Sequence, residues 1–240
     1  MKLTVLGKYG PYPPAGGATS GYLLEEGETR VLVECGSGVL SRLQRFVPIE
    51  RLDAIVLSHL HSDHTADLFI LRYALQNAKT QLRVLLPPNP AEEFDRIAGC
   101  PPFAAEKIQE GAAVNIGAFS FAFVRMTHPF ESFGMRVTDG RHTLVYTGDS
   151  NWNSRAVSFA RGCDLLLADT GLPNSAKQDP KAFVPHFTAG EVGALAAQAG
   201  VPRLLCSHLP PSVPESSILE EVRQNYLGAE LAQELKTYEL

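Results

Sequence analysis

Short apolar runs separated by Gly- and Pro-rich turns fill the N-terminal part of the chain. Leu3–Leu6, Gly21–Leu24 and Val31–Glu34 read as strands, and the unbroken apolar run Ala54–Leu57 reads as a buried one. The period then changes. From Asp63 to about Ala78 the apolar residues Ala66, Phe69, Ile70, Tyr73 and Ala74 recur at helical spacing, which predicts a helix. A strand at Leu82–Leu86 and a helix near Ala91–Ala98 follow. Strands are expected at Phe119–Met126, Phe133–Val137, Thr143–Tyr146 and Leu165–Leu167. Thr188-Ala189-Gly190-Glu191 has the form of a capping box and opens a helix to Ala199, with Val192, Leu195, Ala196 and Ala199 on one face. Leu204 and Leu205 make a short strand, and a helix is expected near Glu215–Tyr226. Ala229–Leu240 suits helix and strand equally. Strand runs in both halves, each followed by helices, predict an α/β fold with two sheets inside and helices outside, a four-layer αβ/βα sandwich.

Length and composition narrow this picture. At 240 residues the chain fits one large domain spanning 1–240. No apolar run approaches a membrane span, and the start Met1-Lys2-Leu3-Thr4-Val5 enters a strand pattern with no signal-peptide features, so the cytoplasm is the expected compartment. The four cysteines, Cys35, Cys100, Cys163 and Cys206, form no C-x-x-C pair and read as free buried thiols. Cys206 lies two residues before His208 and is kept as a ligand candidate. The formal net charge is −5 with no basic run, which argues against a long nucleic acid as partner. A small anionic substrate needs only a local site.

The chemistry sits at one strand end. Three of the seven histidines fall in His59-Leu60-His61-Ser62-Asp63-His64, directly after the buried run. At a strand terminus His59 and His61 share a side, and Asp63 and His64 occupy the first turn of the helix that follows. Four such side chains aimed at one point suit zinc, with manganese or iron as alternatives. A surface cluster at a strand–helix turn is the structural alternative.

The run resembles the signature of the metallo-β-lactamase superfamily. The resemblance extends over the chain, because Thr127-His128-Pro129, Thr147-Gly148-Asp149 and Ser207-His208-Leu209 follow strand-like segments in the family's order. It implies two divalent metal ions: His59, His61 and His128 hold the first, Asp63, His64 and His208 the second, and Asp149 bridges. Asp149 stands where β-lactamases carry cysteine, and His61 where the diiron oxygen-reducing branch carries glutamate. The first argues against antibiotic hydrolysis and the second against redox chemistry, which leaves hydrolysis of another substrate.

Pro185-His186-Phe187-Thr188-Ala189-Gly190-Glu191 resembles the matching segment of ribonuclease Z and related phosphodiesterases. There the histidine works with a glutamate after an earlier strand; here Asp169 holds that place. The resemblance implies a catalytic set of Asp63, His186 and Asp169. Asp63 accepts the proton of a water shared by two cations about 3.5–4 Å apart, and His186 protonates the leaving alkoxide. His186 as a simple cap of the following helix is the alternative. The arm by which ribonuclease Z grips transfer RNA is missing. The expected substrate is therefore a small phosphodiester such as a cyclic nucleotide. Ribonuclease Z-like RNA processing, hydrolysis of a thioester, lactone or other ester, and non-catalytic metal binding are the competing readings. Relatives often form homodimers, an expectation by analogy only.

Several residues stay open at this level. Glu34 stands where relatives have aspartate and, like Asp67, could support a ligating histidine; either could also be an ordinary acid. His142 reads as structural. Gly16–Gly21 lacks the G-K-[ST] of a P-loop and reads as a turn, with backbone N–H groups near the site as the alternative. The loops Lys8–Gly17 and Leu172–Pro185 are long enough to be functional rims or surface insertions.

Overall fold

A computed structural model describes residues 1–77, 81–179 and 183–240. The first half runs β1 (Lys2–Gly7), β2 (Gly21–Glu26), β3 (Thr29–Val33), α1 (Val39–Leu43), β4 (Ala54–Val56), α2 (Ser62–Thr65), α3 (Leu68–Ala74), β5 (Leu82–Leu86), α4 (Ala91–Ala98) and β6 (Phe103–Lys107). The second half runs β7 (Ala113–Ile116), β8 (Phe119–Arg125), β9 (Phe133–Thr138), β10 (Thr143–Tyr146), α5 (Ser154–Ala160), β11 (Leu165–Asp169), α6 (Ala189–Ala199), β12 (Leu204–Ser207), α7 (Glu215–Arg223), β13 (Ala229–Leu231) and β14 (Thr237–Glu239).

These strands make two seven-stranded sheets, ordered β14-β1-β2-β3-β4-β5-β6 and β13-β12-β11-β10-β9-β8-β7. The period-two alternation of each strand sorts its side chains between two cores. In β2 and β3, Tyr22, Leu24, Val31 and Val33 face the other sheet, while Leu23 and Leu32 face the helices. In β11 and β12, Leu165, Leu167 and Leu205 face inward, while Leu166, Ala168, Leu204 and Cys206 pack under α5, α6 and α7. The result is the expected four-layer αβ/βα sandwich, helix–sheet–sheet–helix, with its central strands apolar on both faces.

The structure differs from the sequence pattern in several places. The helix expected from Asp63 to Ala78 is two short helices, and its end at Ala78 lies outside the described residues. The break falls at Ala66 and Asp67, where the carbonyl of His64 and the N–H of Asp67 bond the backbone of Cys35 instead of continuing the helix. α1, β6, β7 and α5 are additional elements. β6 has the composition Phe-Ala-Ala-Glu-Lys, poor in β-branched residues, and pairs only as the sheet edge on β5. α5 did carry a signal, because Asn153 accepts the N–H of Arg155 as its N-cap. Ala229–Leu240 holds β13 and β14, one strand for each sheet, so its periodicity could not report one element.

The capping box is present: the Thr188 hydroxyl accepts the Glu191 N–H, and the Glu191 carboxylate accepts the Thr188 N–H at 3.0 Å. Thr188, not His186, therefore caps α6. Among the described residues no helix is long and apolar enough to cross a membrane.

Candidate metal centre

Most candidate residues sit at or just beyond the end of a strand, on one edge of the sandwich, with Asp63 and His64 in the short helix after β4 and His186 in the loop before α6. His59 and His61 follow β4, and Asp63 and His64 lie in α2. His128 follows β8, Asp149 follows β10, Asp169 ends β11 and His208 follows β12. Parallel pairing of β10, β11 and β12 brings the last three ends side by side, and residues far apart in sequence meet.

Three groups of donor atoms result, each within 4.8 Å of one another: His59, His61 and His128; Asp63, His64, Asp149 and His208; and Asp149, Asp169, His186 and His208, which shares two residues with the second. In the first, His59 Nε2 and His128 Nε2 lie 3.0 and 3.1 Å from His61 Nδ1. In the second, His208 Nε2 lies 3.1 Å from Asp63 Oδ2 and 3.3 Å from Asp149 Oδ2, and His64 Nε2 lies 3.3 Å from Asp149 Oδ2. Asp149 Oδ2 is also 3.7 Å from His59 Nε2, so the one carboxylate faces both of these groups.

The chemistry of these atoms fits a pair of cations. On the donor side, His64 Nε2 and Asp149 Oδ1 are buried without a hydrogen-bond partner, an arrangement costly for polar groups unless something satisfies them. Burial, followed by the neighbouring imidazoles, pushes His59 well below its ordinary pKa; burial also lowers His128 and takes His61 down to about 4. All three shifts favour the neutral imidazole, the form that ligates. His64 and His208 shift upward: burial opposes it, but Asp149 with Asp63 and Glu34, or with Asp169 and Asp63, prevails. Burial would raise Asp149 and Asp63, yet the same imidazoles hold both far below the usual carboxylate range.

The surroundings fix the rings. Glu34, fully buried, puts Oε1 3.5 Å from His64 Nδ1 and accepts the Ser58 N–H. It is therefore a support of His64. Asp67 is not: its carboxylate accepts the Leu40 N–H at 2.8 Å, at the start of α1. Glu34 and His208 both have positive φ, at 61° and 55°, a region non-glycine residues rarely adopt. Close packing is also enforced by glycine, since a Cβ on Gly36 would lie 2.0 Å from the Asp63 carbonyl oxygen.

His186 Nδ1 lies 3.1 Å from Asp169 Oδ2, so the aspartate reaches the histidine without the extra methylene of a glutamate. Burial lowers His186, but Asp169 and then Asp149 raise it above its ordinary value. Asp63, His61, His128, Asp149 and His186 line a cleft of about 480 Å³, whose rim includes Pro11 and Pro185. Thus both long loops border the cleft, although 180–182 of the second lie outside the described residues. The Gly16–Gly21 stretch makes a turn: Thr19 Oγ1 accepts the Ser37 N–H, and Gly17 N–H bonds Pro14. Cys206 packs with the apolar side chains under α6, outside the donor groups. His142 braces a turn with Asp139, whose carboxylate accepts the His142 N–H at 2.7 Å.

Fold and site together define a metallo-hydrolase of the metallo-β-lactamase fold, and the chain belongs to the beta-lactamase superfamily domain family, whose model matches residues 29–209. It is 36% identical to the probable metallo-hydrolase YhfI of Bacillus subtilis over 95% of both chains. The crystal structure of YhfI superposes with a TM-score of 0.92 at 35% identity, covering 99% of each chain. An uncharacterised protein of Mycobacterium tuberculosis, Rv1339, is 32% identical over 95% of this chain and 88% of its own. Human tRNase Z, short form, shares the fold with a TM-score of 0.78 at 19% identity, covering 100% of this chain and 99% of its own.

Proposed function

We propose that the protein is a phosphodiesterase acting on a small phosphodiester such as a cyclic nucleotide, with two divalent cations, zinc the first choice. One contact carries this function: Asp169 Oδ2 on His186 Nδ1 at 3.1 Å, beside the donor groups. A carboxylate only accepts, so it keeps the proton on Nδ1. Nε2 is then the nitrogen that exchanges a proton with substrate. A phosphodiester ester oxygen leaves as a poor alkoxide and needs that proton, whereas a thiolate leaves without one.

His59, His61 and His128 would hold one cation, Asp63, His64 and His208 the other, with Asp149 between them. When bound, the cations lower the pKa of water and offset the charge of the phosphate. Asp63 would take the nucleophile's proton, a role supported by its greater exposure, 11% of its side chain against 2% for Asp149. The cleft of about 480 Å³ is of a size for a mononucleotide-sized ligand. The net charge of −5 is the wrong sign for a long RNA.

The test is a substrate panel on metal-quantified protein, comparing 3′,5′- and 2′,3′-cyclic nucleotides, a bis-aryl phosphate, thioesters, lactones and precursor RNA. Cyclic diesters are expected to be turned over fastest. Preference for a thioester or a lactone, or for precursor RNA with salt-sensitive binding, would reassign the substrate.

A further inference from the structure

The first two donor groups differ in what stands behind their imidazoles. In the first, the second nitrogens of His59 and His128 face neutral oxygens: Ser58 Oγ lies 3.0 Å from His59 Nδ1, and the Pro185 carbonyl 2.8 Å from His128 Nδ1. In the second, both face carboxylates: Glu34 Oε1 lies 3.5 Å from His64 Nδ1, and Asp169 Oδ1 3.4 Å from His208 Nδ1. Asp63 adds a carboxylate among the donors themselves. Four carboxylates (Glu34, Asp63, Asp149, Asp169) therefore surround the second group. Among the described residues, Asp149 alone comes within 4 Å of an imidazole nitrogen of the first.

Carboxylates behind ligating histidines raise the basicity of the imidazole and fix its orientation. Their charge also attracts a dication more strongly in a buried setting than neutral oxygens do. Asp169 is held in place for this, because Oδ2 accepts the Ser150 N–H and Oδ1 the Gly171 N–H. Through its two oxygens it touches both His186 and His208, so one residue links the proton-donating histidine with the second donor group.

From these contacts we infer that the two metal positions are unequal and fill in order: Asp63, His64, Asp149 and His208 take the first ion, and the three-histidine group takes the second. Glu34 and Asp169 are the positioning residues that set this order. The inference rests on the two-metal reading but not on the identity of the substrate.

The experiment strips the full-length protein with a chelator and returns zinc one equivalent at a time, followed by native mass spectrometry. Crystals grown at one equivalent then locate the ion by anomalous scattering. The expected result is a single anomalous peak between Asp63 and His208, with a first dissociation constant at least tenfold below the second. Glu34→Gln and Asp169→Asn should each weaken the first step about 10–100-fold, while Ser58→Ala leaves it unchanged. A peak among His59, His61 and His128, or equal occupancy of both positions, would overturn the order while leaving two metals in place. No zinc bound at any ratio would overturn the two-metal reading and the order with it. The wild-type measurement decides the question even where a variant fails to fold.

Discussion

The carbonyl oxygen of Pro185 sits 2.8 Å from Nδ1 of His128, across 57 positions of sequence. A carbonyl can only accept, so this contact puts the His128 proton on Nδ1 and leaves Nε2 for the site. The next residue is His186. This stretch of backbone thus orients the His128 ring and, at the following residue, brings the His186 side chain to the same cleft. The loop is fastened behind this point, since the Leu172 carbonyl accepts the Ala189 N–H and Asn174 Oδ1 the Gly190 N–H.

His186→Ala is expected to slow hydrolysis of a diester with an alkoxide leaving group by about 10²–10⁴-fold. Metal content should not change, and a nitrophenyl diester, which needs little protonation, should lose far less. Steady-state rates on both substrates, with metal analysis of the same samples, check this. Equal losses on the two would remove His186 from the role of acid.

Gly10→Ala places a Cβ 2.0 Å from the His208 ring, and the backbone cannot retreat freely because Gly10 N–H bonds Leu209. The variant should bind one zinc fewer than the parent and melt earlier. Metal stoichiometry and a thermal scan measure both effects.

The Lys177 side chain is 5% exposed and its ammonium donates to Asn151 Oδ1 at 2.9 Å and Glu191 Oε1 at 2.6 Å. Lys177→Met removes these bonds and leaves the largely buried Glu191 carboxylate without its cation. The expected cost is about 1–3 kcal/mol of stability, read from urea unfolding. Faster hydrogen exchange between Leu172 and Gln178 should accompany it.

Glu215 receives Lys8 Nζ and the Tyr9 hydroxyl at 2.8 and 2.7 Å. Burial alone would raise its pKa, but these hydrogen bonds and the lysine charge lower it. A depressed carboxylate contributes stability above its unfolded pKa and loses it as pH falls through the folded value. Glu215→Gln should therefore destabilise at pH 7, with the difference from the parent narrowing below about pH 4. Urea midpoints across this range test it, and a constant gap would contradict it.

Burial pushes the Cys163 thiol up to about 11 and the Cys206 thiol up to about 12. The thiolate is the reactive form, so at pH 8 the native protein should resist iodoacetamide at both positions. All four cysteines are free and buried and should alkylate together once urea unfolds the chain. Cys206→Ala should keep its full metal content.

Much of this site was legible because its parts are local. A buried strand, a turn and a helix start fix the relation of His59, His61, Asp63 and His64 within six residues, and backbone geometry alone sets their directions. The same holds for the capping box at Thr188, whose partners lie three residues apart. Where neighbours compete, local pattern falls short. Glu34 and Asp67 looked alike as acids near the cluster, yet one supports His64 and the other bonds the start of α1. The helix after Asp63 broke because Cys35, distant in sequence, took its hydrogen bonds.

The sequence by itself therefore determined the apolar central strands, the layer order implied by their alternation, and which residue types could gather at strand ends, but not the edge strands β6, β7, β13 and β14. Tertiary structure decided which carboxylate faces which imidazole, that Asp169 reaches both His186 and His208, and that Pro185 orients His128. Those contacts span long stretches of chain. They depend on sheet register and loop closure to within an ångström, and no short-range pattern of residues carries that information.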